Sequence, residues 1–300
     1  MENTRTKTTR NSLILLLTAA IWGMAFVSQS KGMDYMHPFT FNGVRSLIGA
    51  ASILVYILIS RKIAGDKAAP LDWKLNVKAG LLCGIFLTIA STLQQFGIKY
   101  TSVGKAGFIT TLYIIFVPMF GIFLKKKVAP VVWAAAVMAA VGMYLLCMTE
   151  SLRLGAGDIM VFLCAIAFAI QIMTVDHYAA RIDGAVVSCI QFTVCGVVCC
   201  IGALIWGQPT FGQLQEGLGA LLYAGVLSCG VGYTLQIVGQ KGLNPTVAAL
   251  IMSLESVIAT ISGWIAYKIG FLTTDQTLTA RQIAGCVIVF CLLYTSDAAD

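Results

Sequence analysis

The sequence predicts an all-α polytopic membrane protein: ten transmembrane helices in two inverted five-helix repeats, residues 1–149 and 150–300, with both termini inside. Three observations carry that prediction. The 300 residues are 58% hydrophobic and only 11% charged, with a mean hydropathy of +0.87. Soluble domains are roughly 45–50% apolar and about 25% charged, so this chain has too little polar surface to cover a water-soluble globule. Its apolar residues fall into runs near the length of about 20 that a spanning helix needs. Finally, an offset of 142 residues lays parts of the second half over the first.

The runs lie at about 12–30, 40–60, 76–97, 104–124, 129–148, 157–178, 185–206, 217–239, 246–267 and 280–294. Charged or turn-forming clusters separate them, among them Lys31 to Pro38, Arg61 to Lys74, Lys125 to Lys127, Glu150 to Gly157 and Lys241 to Pro245. These loops are too short to hold a separate soluble domain. The first run is long and has no evident small-residue cleavage site, so it is expected to stay as a span. The tenth is short: Ile283 to Tyr294 is followed by a polar Thr295–Asp300 that reads like a truncated or foreign tail.

Basic residues set the orientation. With the N-terminus inside, Arg5, Lys7, Arg10, Arg61, Lys62, Lys67, Lys74, Lys78, Lys125, Lys126, Lys127, Arg181 and Lys241 lie inside. Lys31, Lys99, Lys105, Arg153, Lys268 and Arg281 lie outside. Thirteen against six satisfies the positive-inside rule, and that rule also accounts for the net charge of +7 without an anionic partner such as nucleic acid. The ten cysteines sit in apolar runs without a CxxC pair, and the two histidines sit at helix ends. No metal site, cofactor motif or disulfide framework is expected. HExxH, GxSxG and phosphate-loop patterns are missing too, which leaves no reacting set for an enzyme.

In the repeat, Leu93-Gln94-x-x-Gly97-x-Lys99 lies against Leu235-Gln236-x-x-Gly239-x-Lys241. Ala106 then meets Ala248, Ile109 meets Ile251, Leu112 meets Leu254 and Gly121 meets Gly263. Five spans per copy invert the second relative to the first. Inverted repeats place a solute site near the membrane midplane, where rocking of the halves exposes it to each side in turn.

Several stretches then suggest a family. Ile21-Trp22-Gly23 and Pro38-Phe39-Thr40-Phe41 lead to Arg45. Gly97-Ile98-Lys99-Tyr100-Thr101-Ser102 leads to Ala106-Gly107-Phe108-Ile109-Thr110, and Asn244-Pro245-Thr246-Val247-Ala248-Ala249-Leu250 leads to Leu254-Glu255. In order and spacing these resemble the EamA-type members of the drug/metabolite transporter superfamily over essentially the whole chain. The resemblance implies ten helices as two EamA-like five-helix repeats, and export or exchange of small metabolites such as amino acids. Two departures are visible: Ser256, where the family often has proline, follows Glu255, and Pro118 lies a helical turn deeper than the family's fourth-span proline.

Ionisable side chains at membrane depth cost about 2.5–3.5 kcal/mol on insertion scales and normally face a cavity or a partner. Glu255, central in the ninth span, is the expected site for a cationic group or a coupling proton. Arg45, a turn and a half into the second span, is the expected clamp for a carboxylate, with Asn42 on the same helical face. Trp22 sits at mid-depth, away from the interfacial belt where tryptophan is common. Gln94 has the repeat partner Gln236, and Tyr113 is the repeat partner of Glu255. Glu255, Arg45, Trp22, Asn42, Gln94 and Tyr113 are thus the expected substrate and proton pathway, while Gln171, Gln191 and Gln236 are left open.

The expectation is a secondary transporter in the inner cell membrane, moving a small polar solute outward by alternating access with protons as the coupling ion. The alternatives are an intramembrane enzyme and a non-transporting receptor or structural protein. Substrate identity and oligomeric state, homodimer included, do not follow from the sequence.

Overall fold

The computed structural model describes residues 4–65, 71–124, 155–273 and 277–285, with isolated positions between 133 and 145; for 4–7 only the backbone is described. Among the described residues eight helices are long and apolar enough to cross a membrane. They are α1 (Thr8–Gly32), α2 (Pro38–Ala64), α3 (Trp73–Ile98), α4 (Val103–Phe123), α5 (Ala156–Tyr178), α6 (Gly184–Gly207), α7 (Leu218–Gly239) and α8 (Pro245–Lys268). Each covers an expected run to within a few residues. The expected fifth span, save for scattered positions, the expected tenth span beyond residue 285, and Lys125–Lys127 fall outside the described residues.

Side-chain caps set most helix starts. His37 caps α2, its Nδ1 accepting from the Phe39 amide at 3.3 Å ahead of Pro38 in the first turn. Asp72 accepts from the Leu75 amide at 3.0 Å, and Asp183 from those of Ala185 and Val186. Asn244 caps α8, again followed by proline, and accepts from the Thr246 amide at 2.9 Å. In each case a polar side chain takes one or two of the amide donors that the first turn leaves unpaired.

The helices run antiparallel in sequence, so α1, α3, α6 and α8 end where α2, α4, α5 and α7 begin. At this end, marked by Lys99, Lys105 Nζ reaches Asp158 at 2.6 Å and ties α4 to α5. At the opposite end, marked by Lys241, Asn11 Nδ2 donates to the Lys241 carbonyl and the Asp183 amide donates to Asn76 Oδ1.

Helix α2 packs along α6, and α4 crosses α8. Helix α1 packs on α7 and α8, as α5 packs on α3 and α4; α2 touches α7 as α6 touches α3. Exchanging the first four helices for the last four therefore reproduces the contact pattern. Small residues allow the close approaches. A Cβ on Gly80 would lie 2.7 Å from Ile190, and one on Gly84 2.9 Å from Val194, so the Gly80-x-x-x-Gly84 stripe seats α3 on α6. Gly225 lets α7 approach α2, where a Cβ would lie 2.9 Å from the Arg45 carbonyl. This contact falls on a wide π-helical stretch, Tyr223–Gly232, of the kind that collects at functional sites.

Gly225→Val forces that contact apart. Overpacking of this kind costs about 1–3 kcal/mol, so a lower thermal midpoint in detergent is expected. An unchanged midpoint would mean that α2 and α7 are not held against each other. The His37 cap gives a second expectation. Burial, with Lys99 nearby, holds this imidazole below its ordinary 6.5. The unfolded chain then takes up the proton more readily, so the cap's contribution is whole above that value and fades as pH falls through it. The thermal midpoint of the wild type should drop more steeply below pH 6.5 than that of His37→Asn, whose cap does not titrate. Parallel curves would remove His37 as the cause.

Candidate functional site

Two of the crossing helices are broken at mid-depth. Helix α4 divides at Leu112, between Val103–Thr111 and Tyr113–Phe123, and α8 divides between Pro245–Met252 and Glu255–Lys268. Neither break has a proline at it. Each instead has a hydroxyl residue that turns back on its own helix. Thr111 Oγ1 donates to the Phe108 carbonyl at 2.8 Å, and Ser253 Oγ donates to the Leu250 carbonyl at 2.7 Å. Such back-bonding competes with the helical ladder and bends it. Thr111 and Ser253 stand 142 residues apart, as do their two acceptors. The sequence departures at Ser256 and Pro118 therefore do not abolish a bend; Thr111 and Ser253 stand at the breaks instead.

Each break starts a new half-helix with a polar side chain, and the two meet. Tyr113 Oη donates to Glu255 Oε1 at 3.1 Å. Around this pair lies a cavity of about 30 Å³, room for a water or two. All six expected residues line it: Trp22, Asn42, Arg45, Gln94, Tyr113 and Glu255. They come from α1, α2, α3, α4 and α8, so the fold gathers at one place what the sequence scatters over more than 230 positions.

Arg45 is 5% exposed and Glu255 4%, so neither reaches water at an interface. Arg45 does not snorkel. Its Nε donates to Asn42 Oδ1 at 3.0 Å, and its guanidinium lies 5.6 Å from the Phe41 ring centre. Asn42 is itself held, its Nδ2 donating to Ser91 Oγ at 3.1 Å and to Cys199 Sγ at 3.3 Å. No ion pair joins Arg45 to Glu255; among the described residues, pairs closer than 4.0 Å include Lys31 with Asp34 and Lys105 with Asp158. A base and an acid thus line one small space, each with a neutral neighbour and neither cancelling the other.

Trp22 lies with its ring centre 4.5 Å from that of Tyr233, which in turn meets Phe192 edge-on at 4.9 Å. The indole Nε1 is buried without a partner, as are Gln29 Oε1 and Gln236 Oε1. All three residues line the cavity, so unused donors and acceptors of both kinds are present at its wall. Gln94 Nε2 donates to Thr110 Oγ1 at 3.2 Å. Among the described residues no three His, Cys, Asp or Glu side chains cluster to hold a metal.

Gln171 and Gln236, which the sequence left open, also line the cavity, as does Tyr233, whereas Gln191 does not. Gln191 instead accepts from Gln171 at 3.5 Å. Gln29 escaped sequence reasoning altogether, although the same offset of 142 pairs it with Gln171. A separate vestibule of about 590 Å³ opens at the Lys241 end, rimmed by Arg61, Arg181 and Lys241, and shares no lining residue with the cavity.

Apolar helices closed around a buried polar site define a multi-pass membrane protein, and its relatives are transporters. The chain belongs to the EamA-like transporter family, whose profile matches residues 10–148 and again 155–294. An uncharacterized transporter of Archaeoglobus fulgidus is 28% identical over 284 residues, covering 93% of this chain and 84% of that protein. The uncharacterized transporter YwfM of Bacillus subtilis is 27% identical over 256 residues, 84% of each chain. A solved crystal structure with 16% identity superposes with a TM-score of 0.74 over 97% of both chains, a likeness of fold.

Asn42 is what holds Arg45 in place. Asn42→Ala should cost about 1.5–3 kcal/mol, the range for a hydrogen bond to a charged group, read as a lower thermal midpoint. Asn42→Asp should retain the wild-type midpoint or exceed it. If the alanine variant melts like the wild type, Arg45 has another partner.

Proposed function

We propose that this protein is a secondary transporter that exports a small polar metabolite, amino-acid-like or related, across the cytoplasmic membrane by alternating access. The observation that carries the reading is the convergence of Arg45 and Glu255 on one cavity without pairing. A buried acid and a buried base that leave each other alone suit a solute bearing both signs, its carboxylate toward Arg45 and its ammonium toward Glu255. Trp22 and Tyr113 then form the wall beside the ammonium, and Asn42 and Gln94 supply neutral hydrogen bonds.

On this reading the chain is two inverted five-helix repeats, 1–149 and 150–300, with both termini inside. The support is threefold: helix contacts that persist when the halves are exchanged, breaks in α4 and α8 at equivalent places, and a family profile that matches each half. Discontinuous helices meeting at the midplane are where such transporters bind their solutes. Glu255 is the carrier of the coupling proton, since it is the carboxylate at the centre of the cavity wall and has one neutral donor, Tyr113.

The test is proton movement in sealed proteoliposomes on addition of amino acids and other small metabolites, with Glu255→Gln beside the wild type. A signal for one class of solute, lost in the variant, is expected. A signal that survives the substitution would remove Glu255 from coupling, and flux indifferent to both pH gradient and membrane potential would replace coupling by uniport or exchange. Binding without flux, in counterflow as well as in net transport, would overturn the transporter reading.

A further inference from the structure

Four glutamines line the cavity, and they form two repeat-related pairs: Gln29 with Gln171, and Gln94 with Gln236, each 142 residues apart. Gln29 and Gln94 lie near the ends of α1 and α3, toward the Lys99 end. Gln171 and Gln236 lie toward the Lys241 end on α5 and α7. If the two halves were in the same conformation, the bonds at the two ends would match. They do not. At the Lys241 end Gln236 Nε2 donates to Gln171 Oε1 at 3.3 Å. At the Lys99 end Gln94 Nε2 turns instead to Thr110, and Gln29 Oε1 is buried with no partner.

We propose that these glutamines form two alternative amide latches, Gln171–Gln236 and Gln29–Gln94, and that closing one opens the other. The proposal rests on the inverted-repeat reading above and adds to it the side chains that hold each end shut. Three observations carry it. The unmade bond has an idle acceptor, Gln29 Oε1, facing the cavity that Gln94 also lines. Its donor is close at hand: Gln95, next in sequence to Gln94, already donates to the backbone carbonyl of Gln29 at 3.2 Å, so α3 lies against α1 at that level. The made bond lies toward the end where cavity and vestibule share no lining residue.

The exchange conserves the amide–amide bond, one opening as the other forms, while the Gln94–Thr110 bond is given up. It is not symmetric in its side effects. Thr110, which holds Gln94 in the present state, has Met252 as its repeat partner. When the Gln171–Gln236 latch opens, Gln236 finds no hydroxyl at the position on α8 that matches Thr110, and its carboxamide is left for the solute. In the present state that same donor is occupied by Gln171. The latch thereby couples solute contact to the side from which the cavity is open.

The test is hydrogen–deuterium exchange of the full chain in lipid nanodiscs, comparing peptides around 236–241 with those around 94–98. Gln171→Leu should speed exchange at 236–241 and slow it at 94–98. Gln29→Leu should do the reverse. Each should shift the ratio of the two by about fivefold, the worth of one buried interhelical hydrogen bond. The double variant should return the ratio to near the wild type. Gln29 Oε1 bonds to nothing in this structure, so Gln29→Leu removes no acceptor in use and is the arm least exposed to misfolding. If both variants loosen only their own surroundings and the far end does not move, the two ends are uncoupled and the rocking of halves falls with the latches. If each moves both ends in the same direction, the ends are coupled but the exchange of amide bonds is wrong.

Discussion

The bilayer interior offers the backbone nothing to bond with, so a helix that crosses it keeps its ladder intact unless something else takes the freed groups. Helices α4 and α8 break at mid-depth, and the chain supplies the replacement partners from Thr111, Ser253 and Ser256. Ser256 Oγ donates to the Ser253 carbonyl at 2.8 Å, on the far side of the same break. The hydroxyls satisfy the carbonyls that the bends set free. What the bends yield is position: Tyr113 and Glu255 become first residues of new half-helices, facing each other across the centre of the bundle rather than along a continuous helical stripe.

The same shortage governs the charged groups. Burying Arg45 and Glu255 costs about 2.5–3.5 kcal/mol each on insertion scales, and pairing them would be the simplest way to offset that. The structure uses Asn42 for one and Tyr113 for the other. A neutral partner offsets part of the cost and leaves the charge uncancelled. The asparagine is in turn fixed by Ser91 and Cys199, so Arg45 is held through a second layer of side chains on α3 and α6. The cysteines of α6 thus serve as more than apolar filler: Cys199 accepts a hydrogen bond from Asn42, which lines the cavity.

Much of this was legible in the sequence, and for identifiable reasons. Span limits follow from apolar run length and from the charged or turn-forming clusters between runs, which are local signals. Glu255 and Arg45 stand out because a charge in an apolar run is conspicuous at any distance. Tyr113 was found through its repeat partner, a case in which a long-range contact is written as a short-range regularity. Glutamines carry no such flag. Gln29, Gln171 and Gln236 look like ordinary interhelical glue until the distances show which amides are paired, and Gln191, similar in sequence, points elsewhere. The helix breaks were hidden because proline is the usual marker, and Thr111 and Ser253 are common residues whose effect depends on a rotamer.

The cavity's small size has a consequence for any measurement of binding. Solute sites in proteins usually enclose about 300–1,000 Å³, whereas this one holds about 30 Å³. On the proposed reading a metabolite needs a wider conformer than the one described here, and its binding draws on the fraction of the protein in that conformer. The dissociation constant read in any assay is then the intrinsic one divided by that fraction. A substitution that merely props the helices apart would tighten apparent binding while adding no contact to the solute. A true substrate would register as modest in affinity however well the open cavity fits it.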